Sequence, residues 1–342
     1  MTAVNVGLIG YGLAGAVFHA PLICAEPGLQ LAAVVSRRAE QIAQELPGVA
    51  ALADPQTLFE DPAIELVVIA TPNDSHADLA ARALKAGKHV VVDKPFTIHS
   101  RDADALIALA EQQQRLLSVF HNRRWDADFL TLRRYCEAGE LGEIYHYEAR
   151  FDRFRPAIKA GWREQPAPGA GLLYDLGAHL IDQALQLFGM PEAVDAEILA
   201  QRPQASVDDW FSLRLSYGSR RVLLGVSSLM AGPGPHFSVH GERGSFLSFG
   251  LDGQEPALKQ GQRPGMPGWG ESDNWQARYT DAEGQPHEVR REPGRCEAYY
   301  RGIVASLRHR TALDVTAQQA RAVIGVIEAA QRSSDEARLV AL

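Results

Sequence analysis

The run Val4-Asn5-Val6-Gly7-Leu8-Ile9-Gly10-Tyr11-Gly12-Leu13-Ala14-Gly15 decides how this chain folds. Its first six residues read as a short buried strand, and Gly10–Gly15 fits G-x-G-x-x-G. A helical stretch follows over residues 13–25. In that setting the first glycine allows a tight turn and the second lets the backbone approach a pyrophosphate. The third lets helix and strand pack closely. The free N–H groups at the helix start then favour phosphate. Taken alone, the motif describes a plain β–α turn equally well, so its surroundings carry the weight.

Working outward, residues 29–36, 66–70, 89–92 and 116–120 are further β-runs, with helices over 75–86 and 102–114. Apolar strands alternating with helices predict a parallel sheet covered on both faces. The expectation is a Rossmann dinucleotide-binding domain over residues 1–121. Its second strand ends in Ser36-Arg37-Arg38, where an NAD site usually places a carboxylate for the ribose 2′-hydroxyl. A serine and two arginines suit a 2′-phosphate instead. NADP is therefore the expected cofactor and NAD the second choice. The alternative is that Arg37 and Arg38 are solvated surface charge.

Residues 122–342 follow a different pattern. Helices are predicted over 127–138, 298–309 and 317–333, the last capped by Thr316. Short strands are predicted over 144–152, 209–217, 221–229, 237–240 and 245–249. Consecutive strands joined by turns indicate an α+β domain with a mostly antiparallel open sheet, helices on one face. Residues 250–294, rich in Gly, Pro and charge, read as a long loop with a short hairpin.

The whole chain has 342 residues and a formal net charge of −8, which argues against a nucleic-acid surface. No stretch reaches the roughly 18 apolar residues of a membrane span. Three scattered cysteines and no CxxC pair give neither a disulfide framework nor a metal site, which fits a cytoplasmic protein.

Lys94 lies at the carboxyl end of a predicted strand, where open α/β sheets bind ligands, although lysines in such places are often plain surface charge. Asp175 and His179 are four apart and share one helix face. They fit an acid–base pair, or a local pair that trims the helix surface; no third residue completes a zinc site. Between the domains cluster His121, Asn122, Arg123, Arg124 and Trp125, then Phe151, Asp152, Arg153, Phe154 and Arg155, then Trp162 and Arg163. These residues suit a pocket for a hydroxylated substrate, or strand–loop packing with arginine stems.

The glycine motif, Thr71-Pro72-Asn73 with His76, Gly87-Lys88-His89-Val90, Asp93-Lys94-Pro95 and Asp175-x-x-x-His179 together resemble the glucose-fructose oxidoreductase / inositol dehydrogenase / MocA (Gfo/Idh/MocA) family. The resemblance covers essentially the whole chain. Residues 18–22, 119–126, 151–156 and 162–165 look like its NADP-dependent scyllo-inositol dehydrogenase branch, although Ala178 and Leu173 stand where that branch often has proline and an aromatic. The resemblance implies that Lys94, Asp175 and His179 are catalytic. It implies cofactor contacts from Gly10, Gly12, Leu13, Ala14, Ser36, Arg37, Thr71, Asn73, His76, Lys94, Asn122, Trp162 and Arg163, to which the ribose reading adds Arg38. Substrate contacts are expected from Lys94, Arg123, Trp125, Asp152, Tyr174, Asp175 and His179. The reaction implied moves a hydride between a cyclic polyol or sugar and NADP. A non-catalytic NAD(P)-binding regulator, an aldose or deoxysugar dehydrogenase and a glycosidase with a nicotinamide relay are the alternatives. A homodimer or homotetramer through the C-terminal sheet is expected.

Overall fold

A computed structural model describes residues 2–159, 161 and 164–342. They form two compact units. The first comprises residues up to Asn122 together with 254–269 and 295–321; the second comprises 123–253, 270–294 and 322–342.

In the first unit, strands β1 (Val4–Ile9), β2 (Leu29–Val35), β3 (Ala50–Leu52), β4 (Leu66–Ile69), β5 (His89–Asp93) and β6 (Leu117–Phe120) form one parallel sheet. Its order is β3-β2-β1-β4-β5-β6. That is the doubly wound order, in which ligands bind beyond the strand carboxyl ends where the winding reverses, here between β1 and β4. Every residue of β4 and β6 is buried, as in a sheet covered on both sides. The helices of this stretch are α1 (Ala20–Ala25), α2 (Ala39–Glu45), α3 (Pro55–Glu60), α4 (His76–Lys85) and α5 (Ser100–Gln113). The stretch 13–25 is not one α-helix: Ala14–His19 is wound as a π-helix that passes into α1.

The second unit opens with α6 (Ala127–Glu137) and β7 (Ile144–Asp152). A π-helical turn, Leu173–Gly177, runs directly into α7 (Ala178–Phe188). Strands β8 (Ala193–Leu199), β9 (Trp210–Tyr217), β10 (Arg220–Ser227), β11 (Phe237–Gly241) and β12 (Gly244–Gly250) follow. After α8 (Gln254–Lys259) of the first unit come β13 (Trp275–Asp281) and β14 (Pro286–His287). Then come α9 (Ala298–His309), again of the first unit, α10 (Ala317–Glu336) and β15 (Val340–Ala341). The nine-stranded sheet has the open order β14-β13-β12-β11-β7-β10-β9-β8-β15. Its pairs are antiparallel except β7 with β10.

Helices cover one face of this sheet. Phe129 and Tyr135 of α6 meet Phe237 and Phe246, and Phe188 of α7 meets Tyr147 edge-on. Along β7 the buried residues are Ile144, Tyr147, Ala149 and Phe151, while Glu148, Arg150 and Asp152 alternate to the other face. The stretch expected to be mostly loop holds β13, whose residues are mainly half-buried or exposed and so give little apolar alternation.

The first unit is finished by residues far along the chain. The Tyr299 hydroxyl donates to Ser118 Oγ at 2.9 Å, and Ser118 donates to the Val315 carbonyl at 2.7 Å. The Tyr299 ring meets Phe120 edge-on at 4.9 Å. Thr316 caps α10 as expected, reciprocally with Gln319: each backbone N–H donates to the other's side-chain oxygen, at 3.2 and 3.1 Å.

Candidate active site

In the first unit, the carboxyl ends of β1, β4, β5 and β6 lead into Gly10, Thr71, Lys94 and Asn122, all on one edge of the parallel sheet. The glycine loop fits a dinucleotide at each position. Gly10 has φ +101°, and a Cβ on Gly15 would overlap the Gly10 carbonyl. A Cβ on Gly12 would meet nothing within 4 Å, so that residue borders an open cradle from which a side chain is missing. Leu13 beside it is 54% exposed, unusual for leucine in a helix start.

Ser36 Oγ accepts the Arg38 N–H at 3.2 Å, which shapes the turn after β2. Arg37 and Arg38 are exposed and, among the described residues, their guanidinium groups enter no hydrogen bond or ion pair. Donors for a 2′-phosphate are thus available, and a carboxylate for a 2′-hydroxyl is not offered in this turn.

His76 is fully buried at the start of α4 and bridges two loops. Its Nδ1 lies 2.9 Å from the Pro95 carbonyl and its Nε2 3.0 Å from the Thr71 carbonyl. Burial holds its pKa below the usual histidine range, against the pull of Asp93 and the two carbonyls. A neutral ring donates to one carbonyl at a time. Thr71 Oγ1 accepts from Ser75 at 2.7 Å, and Asn73 is buried beside it. The Asp93 carboxylate accepts the Lys94 N–H at 2.8 Å and lies 3.7 Å from His19 Nε2, while His19 Nδ1 is 2.6 Å from the Tyr300 hydroxyl. Burial pushes Asp93 up, but His19, Lys94 and His76 together hold it below the ordinary carboxylate range. The Lys94 loop therefore stands on a charged, buried base. Its Lys94–Pro95 peptide is cis.

In the second unit, Tyr174 and Asp175 sit in the π-turn and His179 lies one turn on, in α7. π-Turns inside helices occur often at functional sites, because the extra residue re-aims the side chains beside it. The turn is seated by Asp208, whose Oδ2 accepts the Leu173 N–H at 2.7 Å. Burial pushes that carboxyl up to about 6. Gly171 has φ +90°, and a Cβ there would overlap the Asp208 carboxylate. His179 is buried and Asp175 half-buried. Tyr174 is buried, with its hydroxyl 3.5 Å from Gln331 Oε1, and burial raises it to about 12.

The short helical turn Asn122–Trp125 supplies the rest of the expected cluster. Arg123 donates to Asp126 at 2.9 Å, and its guanidinium lies over the Phe151 ring at 5.1 Å. Arg124 pairs with Asp182 through two hydrogen bonds, at 2.8 and 2.6 Å, both side chains being nearly fully buried. Gln183 donates to the Arg123 carbonyl at 3.1 Å. Asp182 and Gln183 stand three and four residues beyond His179, so these contacts fix the histidine's helix. Trp125 is half-buried. Asp152, among the expected substrate contacts, accepts from Arg150 at 2.6 and 3.1 Å on the sheet face turned away from α7. Strand alternation is the reason: Glu148, Arg150 and Asp152 share that face. Trp162 and Arg163 lie outside the described residues.

The supporting residues His19, Asp93, Asp182 and Asp208 gave no signal as a group. His19 and Asp93 lie in quoted motifs that do not show their mutual contact, and Asp182 and Asp208 stand 58 and 35 residues from Arg124 and Leu173, to which they bond.

Residues 4–121 match a family described as an oxidoreductase family with an NAD-binding Rossmann fold, and residues 133–342 match its C-terminal alpha/beta domain. The chain belongs to the Gfo/Idh/MocA oxidoreductase family. Within it, an uncharacterized oxidoreductase of Escherichia coli, YdgJ, is 46% identical, covering 95% of this chain and 94% of its own. The scyllo-inositol 2-dehydrogenase (NADP(+)) IolW of Bacillus subtilis is 40% identical over 99% of this chain and 96% of its own. The solved structure of the yvaA protein of Bacillus subtilis superposes with a TM-score of 0.97 at 39% identity, covering 100% of this chain and 99% of that one. The Gfo/Idh/MocA match fits both units: a Rossmann domain for a nicotinamide dinucleotide, then an α/β domain with a mixed, largely antiparallel sheet.

Proposed function

We propose that this oxidoreductase is an NADP-dependent dehydrogenase for a secondary alcohol of a cyclic polyol or sugar, with scyllo-inositol as the first substrate to try. The observation that carries the reading is the seating of Asp175 and His179 on a π-turned helix start, in a chain 40% identical along its length to a scyllo-inositol 2-dehydrogenase (NADP(+)). The exposed, unpaired Arg37 and Arg38 support NADP.

Bound nicotinamide dinucleotide supplies hydride transfer. In this reading Gly10, Gly12, Leu13 and Ala14 hold its pyrophosphate, and Ser36, Arg37 and Arg38 hold its 2′-phosphate. Thr71, Asn73, His76 and Asn122 line the rest of its site. Lys94 hydrogen-bonds the substrate oxygen and stabilises the negative charge that develops there. His179 takes the hydroxyl proton at a ring nitrogen, and Asp175 orients it. Arg123, Trp125 and Tyr174 shape the substrate's surroundings. A second copy of the chain, covering the sheet face without helices, completes the reading.

The test is absorbance at the reduced-nicotinamide band, with NADP or NAD and a panel of inositols, aldoses and deoxy sugars. Turnover with NADP is expected. His179→Ala should lose about 100-fold or more in kcat, the order general bases contribute, while still binding NADP. Arg37→Ala should weaken NADP more than NAD. Tight NADP binding with no turnover of any substrate would replace this reading with the non-catalytic regulator.

A further inference from the structure

Four arginines of the second unit's site region have carboxylate partners. Arg123 pairs with Asp126, Arg124 with Asp182, Arg150 with Asp152, and Arg202 with both Asp209 and Glu164. Arg153 and the exposed Arg155 have none among the described residues, and of these two Arg153 is the one that is partly buried. It is only partly exposed, and its Nε is buried without a hydrogen-bond partner. Among the described residues its guanidinium enters no hydrogen bond or ion pair. Ala160, Trp162 and Arg163, in the same stretch of sequence, have no carboxylate to offer it.

The backbone around Arg153 is fixed. Its N–H donates to the Ser227 carbonyl at 2.9 Å, its carbonyl accepts from Met230 at 3.1 Å, and the Arg155 N–H donates to the Ser228 carbonyl at 2.7 Å. The same sheet end seats the π-turn. Ser228 donates to the Asp209 carbonyl, and the neighbouring Asp208 carbonyl accepts the Leu172 N–H, each at 3.1 Å. Arg153 thus stands directly after β7, at the sheet end that seats the turn carrying Asp175. Burial and then Arg155 press its guanidinium toward the neutral form, whereas Asp175 and Glu164 favour the charge. Asp175 and Glu164 act on it only from beyond ion-pair distance, and a partly buried guanidinium without an ion pair or hydrogen bond among the described residues costs free energy that an incoming anion recovers.

We propose that Arg153 is the anion subsite for the substrate, and that the preferred substrate is a sugar or polyol bearing a carboxylate. This rests on the dehydrogenase reading but not on inositol as substrate. A guanidinium offers a planar fork that matches a carboxylate's two oxygens, a match that lysine does not reproduce.

The experiment compares D-glucuronate with D-glucose and D-galacturonate with D-galactose, in the wild type and in Arg153→Met and Arg153→Lys. Turnover is read at the nicotinamide band and equilibrium binding of the acids by calorimetry. Expected is a kcat/KM at least about 10-fold higher for each acid than for its neutral counterpart. Arg153→Met should abolish that preference through KM, with kcat and NADP affinity nearly unchanged, and Arg153→Lys should restore it in part. Turnover that ignores the carboxylate, or that Arg153→Met lowers equally for acid and neutral sugars, overturns the subsite and leaves the dehydrogenase standing. Absence of turnover together with absence of acid binding overturns the subsite and leaves the dehydrogenase reading to the inositol assay. Acid binding that Arg153→Met removes, without turnover, upholds the subsite alone.

Discussion

Asp128 lies 1% exposed at the start of α6, near two more buried carboxylates, Asp126 and Asp252. Its Oδ1 accepts the Phe129 N–H at 2.8 Å, and its Oδ2 lies 3.6 Å from His236 Nε2. Burial, then the charge of Asp252, pushes its pKa up to about 7. Burial also pushes His236 down to about 4, so that ring stays neutral where Asp128 titrates. An aspartate in an unfolded chain titrates near 3.9, so the folded protein binds this proton more tightly. The stability this provides is complete below about pH 4 and is lost as pH rises through about 7. Melting temperatures between pH 5 and 8 should therefore fall more steeply in the wild type than in Asp128→Asn. Parallel curves would mean that another group titrates. At this scale the sequence disclosed the strand-end residues, because motif spacing places Gly10, Thr71 and Lys94 directly. It did not disclose which charges are already spoken for: Asp152 has Glu148 and Arg150 on its own strand face, and only the structure shows Arg150 holding it.

Elements were legible where an apolar period or a glycine stop marked them, as in β1, β4, β5, α5 and α6. The two π-turns were not, since Ala14–His19 and Leu173–Gly177 have the composition of ordinary helix. Their extra residue answers to packing, such as the closeness of Gly15 to the Gly10 carbonyl. The attachment of α7 is of the same kind. Arg124→Met leaves Asp182 buried without its partner, an arrangement that costs about 3–5 kcal/mol. The expected outcome in urea unfolding is a loss of that order, with kcat falling as α7 loosens. Adding Asp182→Leu should recover most of the stability, because it removes the stranded charge. If Arg124→Met unfolds like the wild type, the pair is dispensable to the seating of α7.

For the molecule as a whole, the order of elements and the change from parallel to antiparallel sheet were legible from alternating and consecutive strands. The return of residues 295–321 to the first unit was not, because α9 has the same amphipathic pattern whichever sheet it covers. Tyr299 shows how much depends on that return, being buried against Phe120 with its hydroxyl on Ser118. Tyr299→Ala should cost about 3–5 kcal/mol, as buried aromatic truncations do. Hydrogen exchange should localise the loss, with β6 amides exchanging faster and β9 and β10 amides little changed. Acceleration confined to β9 and β10 would contradict the assignment of this segment to the first unit.

The same return bears on biosynthesis. A ribosome makes residues 1–122 first, yet Ser118, His19 and Phe120 meet their partners only when residues 299, 300 and 315 have emerged. The dinucleotide fold is opened by residues up to Asn122 and completed by residues 295–321. A nascent chain paused between them would display an unfinished nucleotide domain with an uncovered aromatic face, a natural target for chaperones until residues 295–321 have emerged.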